Sequence, residues 1–252
     1  MPIDYLSDKI SSVSLIDRFI TDPGLKIVNS ARISYNKETK TFEEKDGKLV
    51  KFLWNHGHTS PYRHSYLTFH VKAPLFLFRQ LMKYQVGSGF RTYEVNEQEV
   101  KLEIFDHFYD TDKGCSWNEV SGRYVQMAPE FYLPVKARRN PPHGNKQASV
   151  DLTEDDPTHQ QMFSTMAASV WGAVQSYERL IELGVAKEIA RMILPQNIYS
   201  EAYWTCSTQA MIHFLSQRLK PDAQYEIRML AEAIYELVKP DLDLMGLTKE
   251  NI

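Results

Sequence analysis

Hydrophobic residues recur along this chain at two intervals, and each interval predicts a kind of element. Across residues 65–72 they alternate: Leu67, Phe69 and Val71 point one way, Tyr66, Thr68 and His70 the other. A period of two marks a half-buried strand. Across 162–181 the steps are three or four, through Met162, Met166, Val170, Val174, Tyr177 and Ile181, which predicts a long amphipathic helix. The helical period also covers 25–33, started by Asp22-Pro23-Gly24, and 42–55, with Leu49, Phe52 and Leu53 on one side. Pro74 suits the first turn of a helix running through Phe78, Leu81 and Met82 to about residue 85. Helices are also expected at 185–194, stopped by Pro195, and at 208–218 and 225–238. Residues 3–6, 198–206 and the run Glu130-Phe131-Tyr132-Leu133-Pro134 are strand-like. The class is α+β and helix-heavy, read as a single domain over 1–252.

Composition narrows the classes of function. In 252 residues, 43% are hydrophobic and 24% charged, enough for a sizeable core and against disorder. A net charge of −3 argues against a dedicated nucleic-acid binder. Cys115 and Cys206 lie far apart with no metal-ligand spacing, which points to a reducing compartment. With no basic-then-apolar leader and no long apolar span, a cytoplasmic location is expected. Around 89–116 the pattern dissolves into mixed charge and aromatics, an inserted loop or small hairpin. A basic, proline- and glycine-rich stretch at 136–146 and an acidic one at 151–156 predict a surface connection.

Candidate chemistry centres on Ser116-Trp117-Asn118-Glu119-Val120-Ser121-Gly122-Arg123-Tyr124. Arg123 can fork onto a phosphate, Ser121 adds a donor, and Gly122 lets the backbone approach a ligand. The alternative is a polar turn that happens to hold an arginine. The stretch His56-Gly57-His58-Thr59-Ser60-Pro61-Tyr62-Arg63-His64 lacks a zinc-binding frame, so no metal is expected. It is either a turn presenting Ser60 and His58 to a ligand or a polar corner. Gln80, Lys83 and Tyr84 can share one helix face, as ligand contacts or as a solvated surface. Arg191, Ser207, Gln209, His213 and Arg218 form a third group, in which Arg218 could be only a helix-dipole partner. There is no nucleophile elbow, Walker loop or dinucleotide fingerprint; Val86-Gly87-Ser88-Gly89-Phe90 follows a helix, not a strand.

In this order, the clusters resemble the flavin-dependent thymidylate synthases. The matching pieces are His56-Gly57-His58 with Ser60-Pro61 and His64, and Phe69-His70-Val71-Lys72-Ala73-Pro74 with Arg79-Gln80. They continue with Asn118-Glu119-Val120-Ser121-Gly122-Arg123-Tyr124 and Glu130-Phe131-Tyr132, Glu188-Ile189-Ala190-Arg191 with Leu194-Pro195, and Trp204-Thr205 leading to Arg218. The resemblance implies the fold of the thymidylate-synthase-complementing proteins and a homotetramer with FAD at subunit interfaces. It implies that NADPH reduces the flavin and that methylene-tetrahydrofolate donates the carbon that turns dUMP into dTMP. It places Gln80, Lys83, Glu119, Val120, Ser121, Gly122, Arg123, Arg191 and Arg218 on the substrate, with Arg218 catalytic. His58, Ser60, Lys83, Tyr84, Gln85, Glu119, Ser207, Gln209 and His213 fall where the family meets FAD.

The chain departs from the family where an Arg-His-Arg triplet is expected and Lys83-Tyr84-Gln85 stands, with the insertion at 89–116 after it. Lysine keeps charge without the bidentate fork, and glutamine keeps only neutral hydrogen bonding. Tyrosine could still stack on the flavin. Ser207 and Gln209 replace asparagine and arginine, while Arg63, in place of glutamate, and Arg91 could return charge to the cofactor. Two further readings stay open: a related pyrimidine-nucleotide hydroxymethylase, and a non-catalytic nucleotide-binding homologue whose basic 136–146 loop docks a partner.

Overall fold

The computed structural model describes residues 1–18, 22–86, 117–124, 130–141 and 149–252. The insertion expected at 89–116, with Arg91 and Cys115, and residues 142–146 of the basic stretch lie outside them.

A wholly antiparallel four-stranded sheet organises these residues. The strands among the described residues are β1 (Ser12–Arg18), β2 (Tyr66–Pro74), β3 (Trp117–Glu119), β4 (Arg138–Arg139), β5 (Val150–Asp151) and β6 (Tyr199–Ser207). The sheet has the order β1-β2-β6-β3, and β4 and β5 pair separately. The alternation read in β2 is real: Leu67, Phe69 and Val71 are buried, opposite Cys206, Trp204 and Ala202 of β6. The Phe69 and Trp204 rings stack across the pair, with centroids 5.5 Å apart. Such cross-strand aromatic pairs fix register, because a slip of one residue would turn the apolar face outward.

The helices among the described residues are α1 (Pro23–Arg32), α2 (Glu44–Asn55), α3 (Leu75–Leu81), α4 (Thr158–Glu182), α5 (Lys187–Ala190), α6 (Thr208–Arg218) and α7 (Tyr225–Leu244). Of these, α1, α2, α3, α6 and α7 contribute to the core over that face. Residues of α6 and α7, among them Ile212, Phe214, Leu215, Ile227, Ile234 and Val238, fill the core with the inner face of β2 and β6. Asp22 caps α1 by accepting from the Leu25 N–H at 2.8 Å, and Glu43 and Asp46 form a capping box at α2.

Five expectations are corrected. The opening strand is β1, not 3–6, where Ile3 makes a lone bridge to Val13. A bulge between Leu15 and Asp17 turns Ile16 outward, which breaks the alternation that would have marked β1. The run 130–134 forms no strand; it makes one bridge, Phe131 to Ile198, beside backbone bonds from Tyr132 to Asn197 and from Tyr199 to Glu130. The helix after Pro74 ends at Leu81, so Lys83, Tyr84 and Gln85 lie beyond it and do not share its face with Gln80. The element expected at 185–194 is the short α5 followed by a 3-10 turn, Arg191–Ile193. Finally, α7 continues past Val238 through Pro240, its end anchored by buried Leu242, Met245 and Leu247.

The helix α4 stands apart. It is 25 residues long, yet only Tyr177 is buried and none of it joins the core cluster. It packs on α5 and the 3-10 turn after it. No helix among the described residues is long and apolar enough to cross a membrane.

Candidate functional site

The chain gathers its candidate residues into two clusters. The first forms at the edge of the sheet. Pairing of β3 with β6 sets Glu119 opposite Ala202, next to Ser200, whose hydroxyl donates to the Glu119 carboxylate at 3.1 Å. Partial desolvation pushes the pKa of Glu119 above the ordinary glutamate value, and the Ser200 hydrogen bond and the Arg191 charge oppose that shift. The strand ends at Glu119, and Ser121, Gly122 and Arg123 turn away, with the Arg123 N–H donating to the Ser121 hydroxyl at 3.3 Å. The Arg123 Nε meets the Glu188 carboxylate at 2.9 Å, tying this turn to α5. Arg191 is exposed on the 3-10 turn that follows. Glu119, Ser121, Arg123 and Arg191 therefore belong to one neighbourhood, and two of its members are guanidinium groups that can meet an anion.

The second cluster lies between the ends of α3 and α6. Tyr84, Gln217, Arg218, Lys220, Asp222, Ala223 and Gln224 line a cleft of about 470 Å³. Tyr84 is 7% exposed, its ring 5.1 Å from Phe214 and 5.5 Å from His213. Above it stands the Arg218 guanidinium, 5.7 Å from the ring centre. The Nε of Arg218 is buried with no hydrogen-bond partner among the described residues. Burying a cationic donor without a partner is unfavourable, so this geometry suits a ligand that supplies the acceptor. Gln80, on α3 one turn before Tyr84, donates through Nε2 to Gln224 Oε1 at 2.8 Å. Gln224 carried no signal as a single residue in sequence; it sits before α7 and is brought to Gln80 only by tertiary packing.

None of Glu119, Arg123 and Arg191 lines the cleft below Arg218. The substrate residues expected to act together are thus split within one chain.

The residues expected to meet FAD are scattered in their roles. Ser207 is fully buried: its hydroxyl donates to the Val86 carbonyl and accepts from the Ala210 N–H at 3.1 Å, capping α6. Tyr84 has its ring enclosed by His213, Phe214 and Arg218, so the face expected to stack on a flavin is packed inside the chain. Gln209, two residues into α6, accepts from the Arg63 Nε at 2.7 Å, which brings Arg63 to the start of this helix. Lys83, His58, Ser60 and His213 are exposed, and Gln85 is half-buried.

With this geometry in place, the chain can be set beside known proteins. Residues 14–242 match the family described as thymidylate synthase complementing protein, Thy1. The chain belongs to this family. Among its relatives, a flavin-dependent thymidylate synthase of Thermus thermophilus is 38% identical over 232 residues, covering 92% of this chain and 73% of that protein. The enzyme of the same name from Kosmotoga olearia is 34% identical over 212 residues, 84% of this chain and 79% of that one. The UMP/dUMP methylase PolB from Streptomyces cacaoi, bound with 5-Br dUMP, is similar with a TM-score of 0.70 and 30% identity, covering 96% of this chain and 94% of PolB. Bound with 5-Br UMP it gives 0.69 and 29%. The Thy1 assignment accounts for the sheet with helices on one face and for the order of the motifs. The four-stranded sheet and the helices over it are the α+β architecture expected.

Proposed function

We propose that this Thy1 protein is a flavin-dependent thymidylate synthase that methylates dUMP reductively to dTMP, with FAD as cofactor and with NADPH and methylene-tetrahydrofolate as co-substrates. It works as a single domain in a homotetramer in the cytoplasm. The observation that carries the reading is Arg218, a half-buried guanidinium over Tyr84 in an open cleft, whose buried Nε has no partner among the described residues.

The chemistry follows from charge. Arginine stays protonated throughout the accessible pH range, and a fixed cation in a desolvated site best stabilises charge that develops during reaction. Arg218 is suited to the negative charge that arises on the uracil ring. Arg123 and Arg191 are suited to the 5′-phosphate, with Ser121 and the backbone at Gly122 adding donors. Because those two arginines lie outside the Arg218 cleft, one nucleotide would be gripped by the first cluster of one subunit and the second cluster of another. The exposed apolar surface of α4 supports such an assembly.

The residues present fit an anionic dinucleotide. Among the described residues Arg63 gives its Nε to Gln209 while its side chain is exposed, so its terminal N–H groups can meet an anion, and the Lys83 ammonium is exposed. Arg63, Lys83, Gln209, His213, Ser60 and His58 would hold the cofactor, with Ser207 acting by fixing the start of α6. Bound FAD would supply the reducing equivalents that complete the methyl group. In the first cluster the Ser200 hydroxyl does meet a carboxylate, Glu119, but Ser200 is buried in β6 and not presented to a ligand, so the protein's part is read as binding, orientation and charge stabilisation.

The likeness to PolB favours a second reading, in which UMP is methylated beside dUMP. The test is release of tritium from C5-labelled dUMP or UMP by the purified yellow protein, dependent on NADPH and methylene-tetrahydrofolate. Product mass separates a methyl from a hydroxymethyl group. A colourless protein that releases no tritium from either nucleotide overturns the proposal.

A further inference from the structure

A chain of hydrogen bonds runs from the interior to Gln80, and its polarity is fixed from the inside. At its root, Glu226 is 2% exposed in the first turn of α7. One carboxylate oxygen accepts from the Arg138 guanidinium and from the Tyr132 hydroxyl, the latter at 3.0 Å. Burial would raise the pKa of this carboxyl, but the hydrogen bond and charge of Arg138, with the bonds from Gln224 and the backbone, together outweigh burial and keep it below the ordinary glutamate value. Glu226 is therefore an anion and can only accept.

Its other oxygen meets Gln224 Nε2 at 3.0 Å. Gln224 must turn its amide nitrogen to Glu226, which leaves its carbonyl oxygen for the next member. That oxygen accepts from Gln80 Nε2 at 2.8 Å. Gln80 has thus committed one N–H of its amide to Gln224, which fixes on which side its Oε1 lies. An isolated glutamine can rotate its amide by half a turn at little cost and serve as donor or acceptor. Here a reversal at Gln80 would set two carbonyl oxygens against each other, and a reversal at Gln224 would set a carbonyl against the Glu226 carboxylate.

We infer that Glu226, acting through Gln224, makes Gln80 an acceptor toward the substrate: its Oε1 faces the nucleotide and selects a hydroxyl or N–H donor there. Gln224 and Glu226 are positioning residues for Gln80. This rests on the reading that the cleft takes dUMP, and it adds a selection rule that Arg218, a pure donor, does not provide. The donor belongs to a sugar hydroxyl or to the ring N3–H.

The informative substitution is Gln224→Glu. A neutral carboxylic acid at 224 can donate its O–H to Glu226 and accept from Gln80, restoring the chain; a carboxylate cannot. The charged and titratable groups around this position are Glu226, Arg138, Tyr132 and Tyr225 on the inner side, and Tyr84, Arg218, Lys220 and Asp222 along the cleft. Arg218 and Lys220 lower the pH at which the proton is taken up but do not remove the need for it.

The experiment is calorimetric binding of dUMP to the full-length, flavin-loaded protein between pH 5.5 and 8. Gln224→Glu is expected to bind about tenfold more weakly than the parent at pH 8 and to recover to within about threefold at pH 5.5. Gln224→Met, similar in size and unable to titrate, stays about tenfold weaker at every pH. Parent protein that binds no dUMP sinks the functional reading itself. Parent protein that binds while Gln224→Glu shows a pH-independent defect, or none, sinks the hydrogen-bond chain. The ligand's donor is located with 2′,3′-dideoxyuridine 5′-phosphate and N3-methyl-dUMP. The analogue lacking the selected donor binds about tenfold more weakly to the parent but equally to Gln80→Met. If neither analogue distinguishes the two proteins, Gln80 does not face the nucleotide and the inference is wrong.

Discussion

The Arg218 guanidinium lies 5.7 Å from the centre of the Tyr84 ring, with its Nε buried and unpartnered among the described residues. The ring holds the cation by its face, and this leaves N–H groups for a ligand. Arg218→Lys keeps the charge but loses the planar fork. Lysine is expected to lower kcat/KM for dUMP by a factor of roughly ten to a hundred or more, as for loss of a charged hydrogen bond worth about 1.5–3 kcal/mol. Thermal unfolding stays close to the parent. Turnover unaffected by Arg218→Lys would remove this arginine from the reaction.

Arg123 and Glu188 pair at 2.9 Å with side chains 59% and 50% exposed. Exposed pairs contribute at most about 1 kcal/mol to stability, so the pair reads as a resting position for Arg123 that a phosphate can displace. Glu188→Gln is expected to shift stability by less than about 1 kcal/mol and to leave the KM for dUMP equal or lower. Arg123→Ala is expected to raise that KM by about tenfold, with an effect that shrinks as salt is added. Equal damage from both substitutions would mean that the pair itself, and not the free arginine, is needed.

Arg138 and Glu226 are a different kind of pair, with side chains 19% and 3% exposed. Removing one partner strands a buried charge, so Arg138→Ala is expected to destabilise by roughly 3–5 kcal/mol. The pH dependence has a definite sign. The folded-state pKa of Glu226 is lowered from its ordinary value of 4.5, so its stabilisation is complete above that value and is lost as pH falls through the folded one. Urea unfolding of the parent from pH 6 to pH 3 should show this loss, and Arg138→Ala should flatten it. An unchanged acid limb in Arg138→Ala would show that other carboxylates set the acid stability.

Ser207 separates local from ligand-directed roles near α6. Its hydroxyl is spent within the chain, on Val86 and Ala210. Ser207→Ala should cost about 1–2 kcal/mol of stability through the lost cap and the unpaired Val86 carbonyl. Flavin content per folded chain should be unchanged. A fold of normal stability that no longer retains flavin would instead return Ser207 to the cofactor's direct contacts.

How much of this was legible in the sequence depends on what each feature needed. The strand β2 was visible because Leu67, Phe69 and Val71 are all buried, and α4 because its apolar residues keep the helical step from Met162 to Ile181. The strand β1 was hidden by its bulge at Ile16. The early end of α3 was hidden because Lys83, Tyr84 and Gln85 are compatible with a helix, and only packing of Tyr84 on Phe214 draws the chain aside. Arginines 123, 191 and 218 could be picked out by chemistry and by family resemblance. Their division into two clusters could not, since it depends on which end of the sheet each segment reaches. Gln224 was invisible for the same reason, as its partners Gln80 and Glu226 come from α3 and α7.

The surface of α4 carries the last prediction. Phe163 is 48% exposed, Trp171 66% and Leu183 61%, with Ile189 and Met192 exposed on the segment that α4 packs against. Large apolar side chains this open along and beside one helix are unusual on a protein that works alone, because burying them against a second copy removes the same area from water twice. Assembly would also bring the Arg123–Arg191 cluster of one subunit within reach of the Arg218 cleft of another, which the separation within one chain requires. The double substitution Phe163→Glu, Trp171→Glu places charge on the apolar surface while leaving the core untouched, since neither residue belongs to it. Light scattering should then show a smaller species with the helix content of the parent by circular dichroism. Turnover of dUMP should fall in step with the loss of assembly and recover at high protein concentration. A dissociated variant with full activity per chain would show that each subunit holds a complete site, and the split-cluster account would have to be abandoned.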